Sequence, residues 1–304
     1  MGTPDFAQES LCRLYSDGHN IAGVFTRPDK PKDRGMHVSG SPVKQLALEH
    51  GTPVFQPATL RDSEVIDILK ELKCDLITVV AYGRMLPREV LEMPAFGCLN
   101  IHGSLLPKYR GAAPIQWAIL NGETETGVTS MYISGELDEG DTLCYRKTTI
   151  GDDETAGELY DRLKVLGADL LSETIRGIIN GTVERKPQNQ AEATYAPPLK
   201  KEMAPIDWTK TAYSIKAKVR GLNPWPVATA VIKNTVCKVF AVEIREVNPV
   251  KTPGEIVSAG RHGLEVACID GSVIIKELQA PGGRRMDAAD YLRGHGYDWQ
   301  RSGV

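Results

Sequence analysis

Short apolar segments alternate with amphipathic segments along the first two thirds of the chain. Residues 21–25, 76–81 and 98–102 are apolar runs of strand length, whereas residues 42–51 and 65–73 repeat apolar side chains at helical spacing. Strands that are separated by helices in this order are typical of parallel βαβ units. We therefore predict an α/β domain with a doubly wound, Rossmann-like parallel sheet.

Capping residues mark where two of the helices begin. Pro42 follows Ser41, which predicts a serine N-cap and a proline in the first helical turn. Thr155 and Glu158 have the spacing of a capping box, and the apolar stripe that follows them runs towards a stop near Gly181. This pattern predicts a long helix at the end of the first domain.

The pattern changes in the last third of the chain. Residues 182–206 lose periodicity, which indicates a linker, and a short helix over residues 213–220 follows. Five apolar segments come next, over residues 227–232, 236–244, 254–258, 264–269 and 272–278. Asp270-Gly271 predicts a type I′ hairpin, so we predict a small antiparallel β-barrel or sandwich, OB-like. The predicted division is 1–188 for the α/β domain, 189–206 for the linker and 207–304 for the C-terminal domain.

The first residues of the chain look like the continuation of a strand. Residues 2–7 read Gly-Thr-Pro-Asp-Phe-Ala, the turn and helix start that should follow a central strand, yet the sequence shows no strand before them. We therefore expect the first strand of the doubly wound domain to be missing. Either the chain starts unusually or its true beginning lies upstream. In the second case, an upstream extension should stabilise the sheet.

Composition is ordinary for a globular protein, and its one uneven feature is the charge of the last third of the chain. Of the 304 residues, 41% are hydrophobic and 25% are charged, which is ordinary for a globular protein. The sequence has neither a run of about 18 apolar residues nor a basic-then-apolar leader, so we expect no membrane span and a cytoplasmic monomer. The whole chain carries a net charge of −3, but residues 204–304 carry 14 basic and 10 acidic side chains. This basic third either contacts a polyanion or is merely solvated.

An amide, an imidazole and a carboxylate are the candidate chemistry. Asn100 and His102 are two apart at the end of a predicted strand, so their side chains fall on the same face. Ligands of open parallel sheets bind beyond the carboxyl ends of the strands, and Asp138 lies in a second loop that can reach this edge. A strand-end histidine is also common as a hydrogen-bonded scaffold residue. Neither the six histidines nor the six cysteines have metal-ligand spacing, so we expect no metal.

Several longer motifs belong together. They are Gly2-Thr3-Pro4-Asp5-Phe6, Ser41-Pro42-Val43-Lys44, Asn100-x-His102-Gly103-Ser104-Leu105-Leu106-Pro107, Arg110-Gly111-Ala112-Ala113-Pro114-Ile115-Gln116, Leu137-Asp138-x-Gly140-Asp141 and Asn223-Pro224-Trp225-Pro226. With these motifs the chain resembles one family, the methionyl-tRNA formyltransferases. The resemblance spans nearly the whole chain. The Asn-x-His and Asp motifs are shared by the wider formyltetrahydrofolate-dependent family, whereas the first two motifs are more specific.

The resemblance implies transfer of a formyl group from 10-formyltetrahydrofolate to the α-amine of methionine on initiator tRNA. It assigns Asn100 and His102 as donors to the developing oxyanion, and Asp138 to orient His102 and relay the amine proton. Ser104, Leu105, Leu106 and Pro107 would line the folate site. Two alternatives stay open: another formyl-folate enzyme, such as a sugar-nucleotide formyltransferase or a formyltetrahydrofolate hydrolase, and a truncated chain that binds folate or tRNA without turnover.

A basic loop is the implied contact to the acceptor end of the tRNA. It runs from Arg27 to Lys44, and the resemblance assigns its tRNA-binding residues as Lys30, Lys32, Arg34 and Lys44. Met36-His37 stands where the family often has two lysines, which weakens the electrostatic contribution expected of this loop. The proline-rich segment at residues 223–226 is typical of structural docking around a buried tryptophan.

Overall fold

The computed structural model describes residues 1–29, 31–32, 37–38, 40–245 and 251–295, with backbone alone at 31–32 and 37–38. The described residues form two compact units. The first contains Met1–Pro114, Glu125–Thr149 and Tyr160–Pro197, and the second contains Ile115–Thr124, Ile150–Leu159 and the described residues from Pro198 onward. The domain boundaries predicted at residues 188 and 206 stay a prediction.

The elements up to Ala196 are, in chain order, α1 (Asp5–Ser16), β1 (Val24–Phe25), β2 (Pro31–Lys32), β3 (His37–Val38), α2 (Pro42–Glu49), β4 (Val54–Phe55), α3 (Ser63–Glu71), β5 (Ile77–Val79), α4 (Arg88–Leu91), β6 (Cys98–His102), β7 (Arg110–Gly111), α5 (Pro114–Leu120), β8 (Glu125–Tyr132), β9 (Thr142–Thr149), α6 (Ala156–Ile179) and β10 (Tyr195–Ala196). The remaining elements are α7 (Ala212–Gly221), β11 (Ala228–Ile232), β12 (Thr235–Arg245), β13 (Ile256–Gly260), β14 (Gly263–Cys268), β15 (Gly271–Gln279), β16 (Met286–Asp287) and α8 (Ala288–Gly294). Two 3-10 turns cover Gln190–Glu192 and Lys201–Met203. No helix in these described ranges is long and apolar enough to cross a bilayer.

The main sheet of the first unit is mixed, not parallel throughout as predicted. Its strand order is β5-β6-β8-β9, and only β5 and β6 are parallel, whereas β8 is antiparallel to both of its neighbours. β1 and β4 form a separate parallel pair. The sequence pattern missed β8 because its buried positions include Thr126, Thr129 and Ser130, so the strand has no run of apolar side chains.

Met1 and Gly2 lie where the first strand was expected. The Gly2 N–H donates to the Phe25 carbonyl at 3.0 Å, and the Val80 N–H donates to the Met1 carbonyl at 2.9 Å. Gly2 also forms a parallel bridge with Val80. These two residues therefore connect the β1 and β5 ladders. A side chain at Gly2 would clash, because its Cβ would lie 2.4 Å from the Ala7 Cβ.

The long helix α6 begins at the predicted capping box. The Thr155 N–H and hydroxyl donate to the Glu158 carboxylate at 2.8 and 2.7 Å, and the Glu158 N–H donates back to the Thr155 hydroxyl at 3.3 Å. These bonds satisfy donors that a helix N-terminus leaves unpaired. After α6, the chain turns at Gly181 with φ +65°. Both ends of this predicted helix are confirmed.

The second unit contains an antiparallel sheet with strand order β11-β12-β15-β14-β13, and β16 pairs with β15. The predicted hairpin between β14 and β15 is present, but its two loop residues are Ile269 and Asp270, and neither has a positive φ. The prediction of a type I′ turn there was wrong. Lys233 and Asn234, between β11 and β12, have φ +45° and +62°, the type I′ signature. Among the described strands, β11 and β13 do not pair with each other, so barrel closure stays a prediction.

Helix α7 contacts the 150–159 segment of its own unit. Arg220 Nη1 donates to the carbonyls of Gly151 and Glu154 at 2.8 and 3.1 Å, and the Gly157 N–H donates to the Asn223 carbonyl at 3.0 Å. Trp225 is 50% exposed, so the expectation of a buried tryptophan in the proline-rich segment was wrong. The backbone of that segment makes the docking contact instead.

Candidate active site

Strand β6 places Asn100 and His102 at the carboxyl end of an interior strand of the main sheet. The strand lies between β5 and β8, where Asn100 is opposite Met131 and His102 is opposite Thr129. His102 is 6% exposed, whereas Asn100 is half-buried. Within the part of the chain that the structure describes, no hydrogen bond engages the Asn100 amide. Its N–H groups are therefore available to a ligand.

The His102 ring lies between two acceptors. Nε2 is 2.8 Å from the Tyr109 carbonyl oxygen, and Nδ1 is 3.6 Å from Oδ2 of Asp138. Because a carbonyl oxygen only accepts, Nε2 carries the proton in this bond. The separation between Nδ1 and Asp138 exceeds a hydrogen bond, but an atom that lies about 2.8 Å from each could bond to both.

Asp138 lies in the loop between β8 and β9, as the sequence predicted. Its Oδ2 accepts from the Gly111 N–H at 2.9 Å, which fixes the direction of the carboxylate. The backbone φ of Asp138 is +52°, a left-handed conformation that is uncommon for residues other than glycine. Gly140 has no room for a side chain, because its Cβ would lie 1.8 Å from the Tyr132 carbonyl oxygen. The loop therefore has little freedom to move Asp138.

The segment after β6 turns back over the strand end. Ser104 is fully buried, and its hydroxyl donates to the Lys108 carbonyl at 2.6 Å. Thr129 connects the turn to the sheet, because its hydroxyl donates to the Ser104 carbonyl at 2.7 Å and accepts from the Leu106 N–H at 3.2 Å. Leu105, Leu106 and Pro107 are half-buried. They follow His102 closely along the chain and carry the partly exposed apolar side chains of the turn, whereas the buried Ser104 supports the turn from inside.

The sequence missed a group of residues that hold this edge. Arg110 is fully buried and bonds to Gln188, Gln190 and Glu139. The backbone of Thr194 accepts from the Arg110 N–H at 2.8 Å, and β10 pairs with β7. The residues between 188 and 196 had been considered linker, because their polar composition has no periodicity. Arg110 stands in the motif Arg110-Gly111-Ala112, but the sequence does not indicate the partners to which its side chain bonds.

The basic loop is described at its ends and, as backbone alone, in β2 and β3. Lys30 and Arg34 lie outside the described residues, and Lys32 is described only as backbone in β2. Lys44 Nζ bonds Oδ2 of Asp29 at 2.5 Å and Oε1 of Gln56 at 2.8 Å. Hydrogen bonds from Lys44 and Gln56 lower the pKa of Asp29 below its ordinary value. Lys44 is thus half of an ion pair that joins the two ends of the loop.

The described side chains offer no metal centre. No group of three or more His, Cys, Asp or Glu among them could hold an ion. The candidate functional groups of the site are the Asn100 amide, the His102 ring and the Asp138 carboxylate. They provide a donor for an oxygen that gains negative charge and an acceptor for a proton, which suits transfer of an acyl-type group to an amine.

Comparison with known proteins agrees with this chemistry. The family model "Formyl transferase" matches residues 1–175, and "Formyl transferase, C-terminal domain" matches residues 198–296. The methionyl-tRNA formyltransferase of Acetivibrio thermocellus is 47% identical over 296 residues, which are 97% of this chain and 95% of that protein. That of Clostridioides difficile is 44% identical over 295 residues, covering 97% of this chain and 96% of that protein.

Two solved structures share the fold at low identity. WlaRD, a sugar 3N-formyl transferase solved with dTDP and 5-N-formyl-THF, has a TM-score of 0.67 at 22% identity and covers 92% of this chain and 95% of its own. HypX from Aquifex aeolicus in complex with tetrahydrofolic acid has a TM-score of 0.57 at 22% identity and covers 81% of this chain and 43% of its own.

Fold and site together define a formyl-transferring enzyme. The Rossmann-like first domain and the antiparallel C-terminal domain are those predicted from the sequence. Within that class, the chain belongs to the methionyl-tRNA formyltransferase family.

Proposed function

We propose that this chain transfers the formyl group of 10-formyltetrahydrofolate to the α-amine of methionine on initiator methionyl-tRNA. The observation that supports this most is the Asn100 amide at the end of β6, which has no hydrogen-bond partner among the described residues and lies two positions from His102, the residue that faces Asp138. The family membership supplies the substrate class. We expect the enzyme to act as a monomer in the cytoplasm, where initiator tRNA is charged with methionine.

Asn100 stabilises the oxygen of the formyl group. Attack by an amine places negative charge on that oxygen, and the half-buried Asn100 amide has N–H groups that no described protein atom engages. A donor that is already in place needs no reorganisation when the charge develops. Removal of one such donor typically lowers turnover by about 100- to 1,000-fold.

His102 and Asp138 provide the acceptors for the proton that the amine loses. The Tyr109 carbonyl holds the ring through Nε2, so Nδ1 faces the carboxylate and the approaching substrate. The Gly111 N–H occupies one lone pair of Asp138, and the remaining lone pairs can accept the proton directly or through water. Positioned proton transfer contributes about 100- to 10,000-fold.

The formyl donor, 10-formyltetrahydrofolate, and the tRNA bind to neighbouring surfaces of the first unit. The half-buried Leu105, Leu106 and Pro107 fit the apolar rings of a folate, and Ser104 shapes their turn. Lys30, Lys32 and Arg34 contact the acceptor end of the tRNA. Lys44 contributes through the pair with Asp29 that joins the ends of the loop, and its charge adds to the same basic surface.

Formyl transfer to charged initiator tRNA tests this function. We expect His102→Ala and Asp138→Asn to lower kcat by at least about 100-fold, with unchanged folding by circular dichroism. Glu136→Gln is the matched control, because it removes an exposed carboxylate from the loop that carries Asp138. Near-normal turnover in both site variants would remove these residues from the chemistry. Activity on a nucleotide sugar alone, or hydrolysis of the donor alone, would refute the proposed substrate.

A further inference from the structure

The loop that carries Asp138 is held by a buried arginine and a glutamine. The Nε and Nη2 atoms of Arg110 donate to the same oxygen, Oε1 of Gln188, at 3.1 and 2.8 Å. Its Nη1 bonds Oε1 of Gln190 at 2.8 Å and Oε1 of Glu139 at 2.9 Å. A buried guanidinium is costly without partners, so these contacts hold the Gln188 side chain firmly.

Arg110 decides which way the Gln188 carboxamide faces. A guanidinium only donates, so the amide oxygen must face it and the amide nitrogen must face away. That nitrogen, Nε2, donates to the backbone carbonyls of Asp138 and Gly140, each at 2.8 Å. Gln188 therefore bonds the carbonyl groups on both sides of Glu139.

The backbone of Asp138 needs this support. A left-handed conformation at a residue other than glycine persists only where its surroundings enforce it. The conformation of this backbone sets the direction of the carboxylate, which lies 3.6 Å from His102 Nδ1 and 2.9 Å from the Gly111 nitrogen. Loss of both Gln188 donors would leave the two carbonyls without these partners and let the loop relax.

We propose that Gln188, locked by Arg110, is a positioning residue of the formyl-transfer site. It holds the backbone of Asp138 in the conformation that directs the carboxylate at His102 and Gly111. The inference rests on the proposed role of Asp138 in the chemistry. Gln188 touches no reacting atom and acts through Asp138 alone.

Gln188→Met tests the proposal, because it keeps the length of the side chain and removes both donors. We expect kcat to fall about 10- to 100-fold, since small misplacements of a catalytic group have effects of this size. KM for both substrates should stay within about twofold, as in a change that affects the transition state alone. Gln188→Glu keeps an acceptor towards Arg110 but also has no N–H, so the same loss is expected. Asn189→Ala is the control, because the Asn189 side chain is exposed and, among the described residues, its bonds are to Ala191 and Glu192.

A double variant separates positioning from a general structural role. If Gln188 acts through Asp138, Gln188→Met combined with Asp138→Asn is as slow as Asp138→Asn alone, within about twofold. The proposal would be overturned if the factors by which the two single substitutions lower kcat multiplied in the double variant. Normal kcat in folded Gln188→Met or Gln188→Glu would also overturn it. Normal kcat in Asp138→Asn would instead refute the proposed role of Asp138, and the inference with it. The two failures are therefore distinguishable.

Discussion

Glu265 is a buried carboxylate of the second unit that is held by three donors. It accepts from Ser272 and Ser258, each at 2.7 Å, and from Arg245 at 3.0 Å. Burial alone would raise the pKa of Glu265, but the bonds from these three side chains outweigh burial and lower it below its ordinary value. Charged hydrogen bonds thus decide the ionisation of this residue.

The stability of the protein should depend on the ionisation of Glu265. Its pKa is lower in the folded chain, so the unfolded chain takes up the proton first as the pH falls. The stabilisation from the ionised Glu265 is fully present above the pKa that this residue has in the unfolded chain, near 4.5. It is lost as the pH falls through the lower pKa of Glu265 in the folded chain. We expect Glu265→Gln to lower the free energy of unfolding at neutral pH by about 1–3 kcal/mol and to flatten its decline in acid.

Urea unfolding at neutral and acid pH measures this effect. Glu243→Gln is the control, because the Glu243 carboxylate pairs with Lys276 and is 63% exposed. The control should leave both the stability and its dependence on pH nearly unchanged. An acid dependence that is the same in Glu265→Gln and in the unmodified protein would contradict the assigned role.

Individual site residues were predictable only where their spacing was informative. Asn100 and His102 are two apart on a strand, so one short motif placed both on a single face. Gln188 could not be found in this way, because it lies 78 positions from Arg110 and 50 from Asp138. A glutamine in a polar segment carries no signal of its own, and the fold alone brings it to the site.

Strand β8 depends on Gly127, the third of its eight residues. A Cβ at Gly127 would lie 2.1 Å from the Arg146 carbonyl oxygen and 2.7 Å from Cδ2 of Leu105. The first contact is with the backbone of β9, which cannot move without separation of the two strands. We expect Gly127→Ala to lower the free energy of unfolding by about 1–3 kcal/mol, as overpacking does.

The urea midpoint and the formyl-transfer rate measure the Gly127→Ala variant. The rate should fall as well, because Leu105 lies in the turn beside the site. Gly135→Ala is the matched control, since a Cβ there meets no atom within 4 Å. Equal midpoints for the two variants would show that β8 and β9 tolerate the added methyl group.

At the level of elements, the sequence predicted helices better than strand directions. Capping residues and apolar stripes located α2, α6 and α7 to within a few residues. The direction of β8 was not predictable, because neither its buried threonines nor its glycine distinguish a parallel from an antiparallel strand. The type I′ turn at Lys233 and Asn234 lacked the usual Asn-Gly or Asp-Gly pair, so it was also missed.

For the whole molecule, we expect the basic loop to govern the choice of tRNA. The family resemblance assigns Arg34 to the tRNA contact, and this residue lies outside the described residues. Arg34→Ala should reduce the ratio of kcat/KM for initiator over elongator methionyl-tRNA, because the lost contact favours one acceptor end. Arg88→Ala, which removes an exposed arginine paired with Glu92, is the control. An unchanged ratio in Arg34→Ala would exclude a recognition role.

The make-up of the second unit also limits which chimaeras of this protein can fold. It takes residues 115–124 and 150–159 from within the first 175 residues, the part that matches the N-terminal family model. Arg220 and the backbone of Asn223 bond to the latter stretch. A chimaera that exchanges only residues 207–304 would separate α7 from these partners. The second unit would therefore have to be transplanted as three stretches of the gene, because the limits of the family models are not the limits of the folded units.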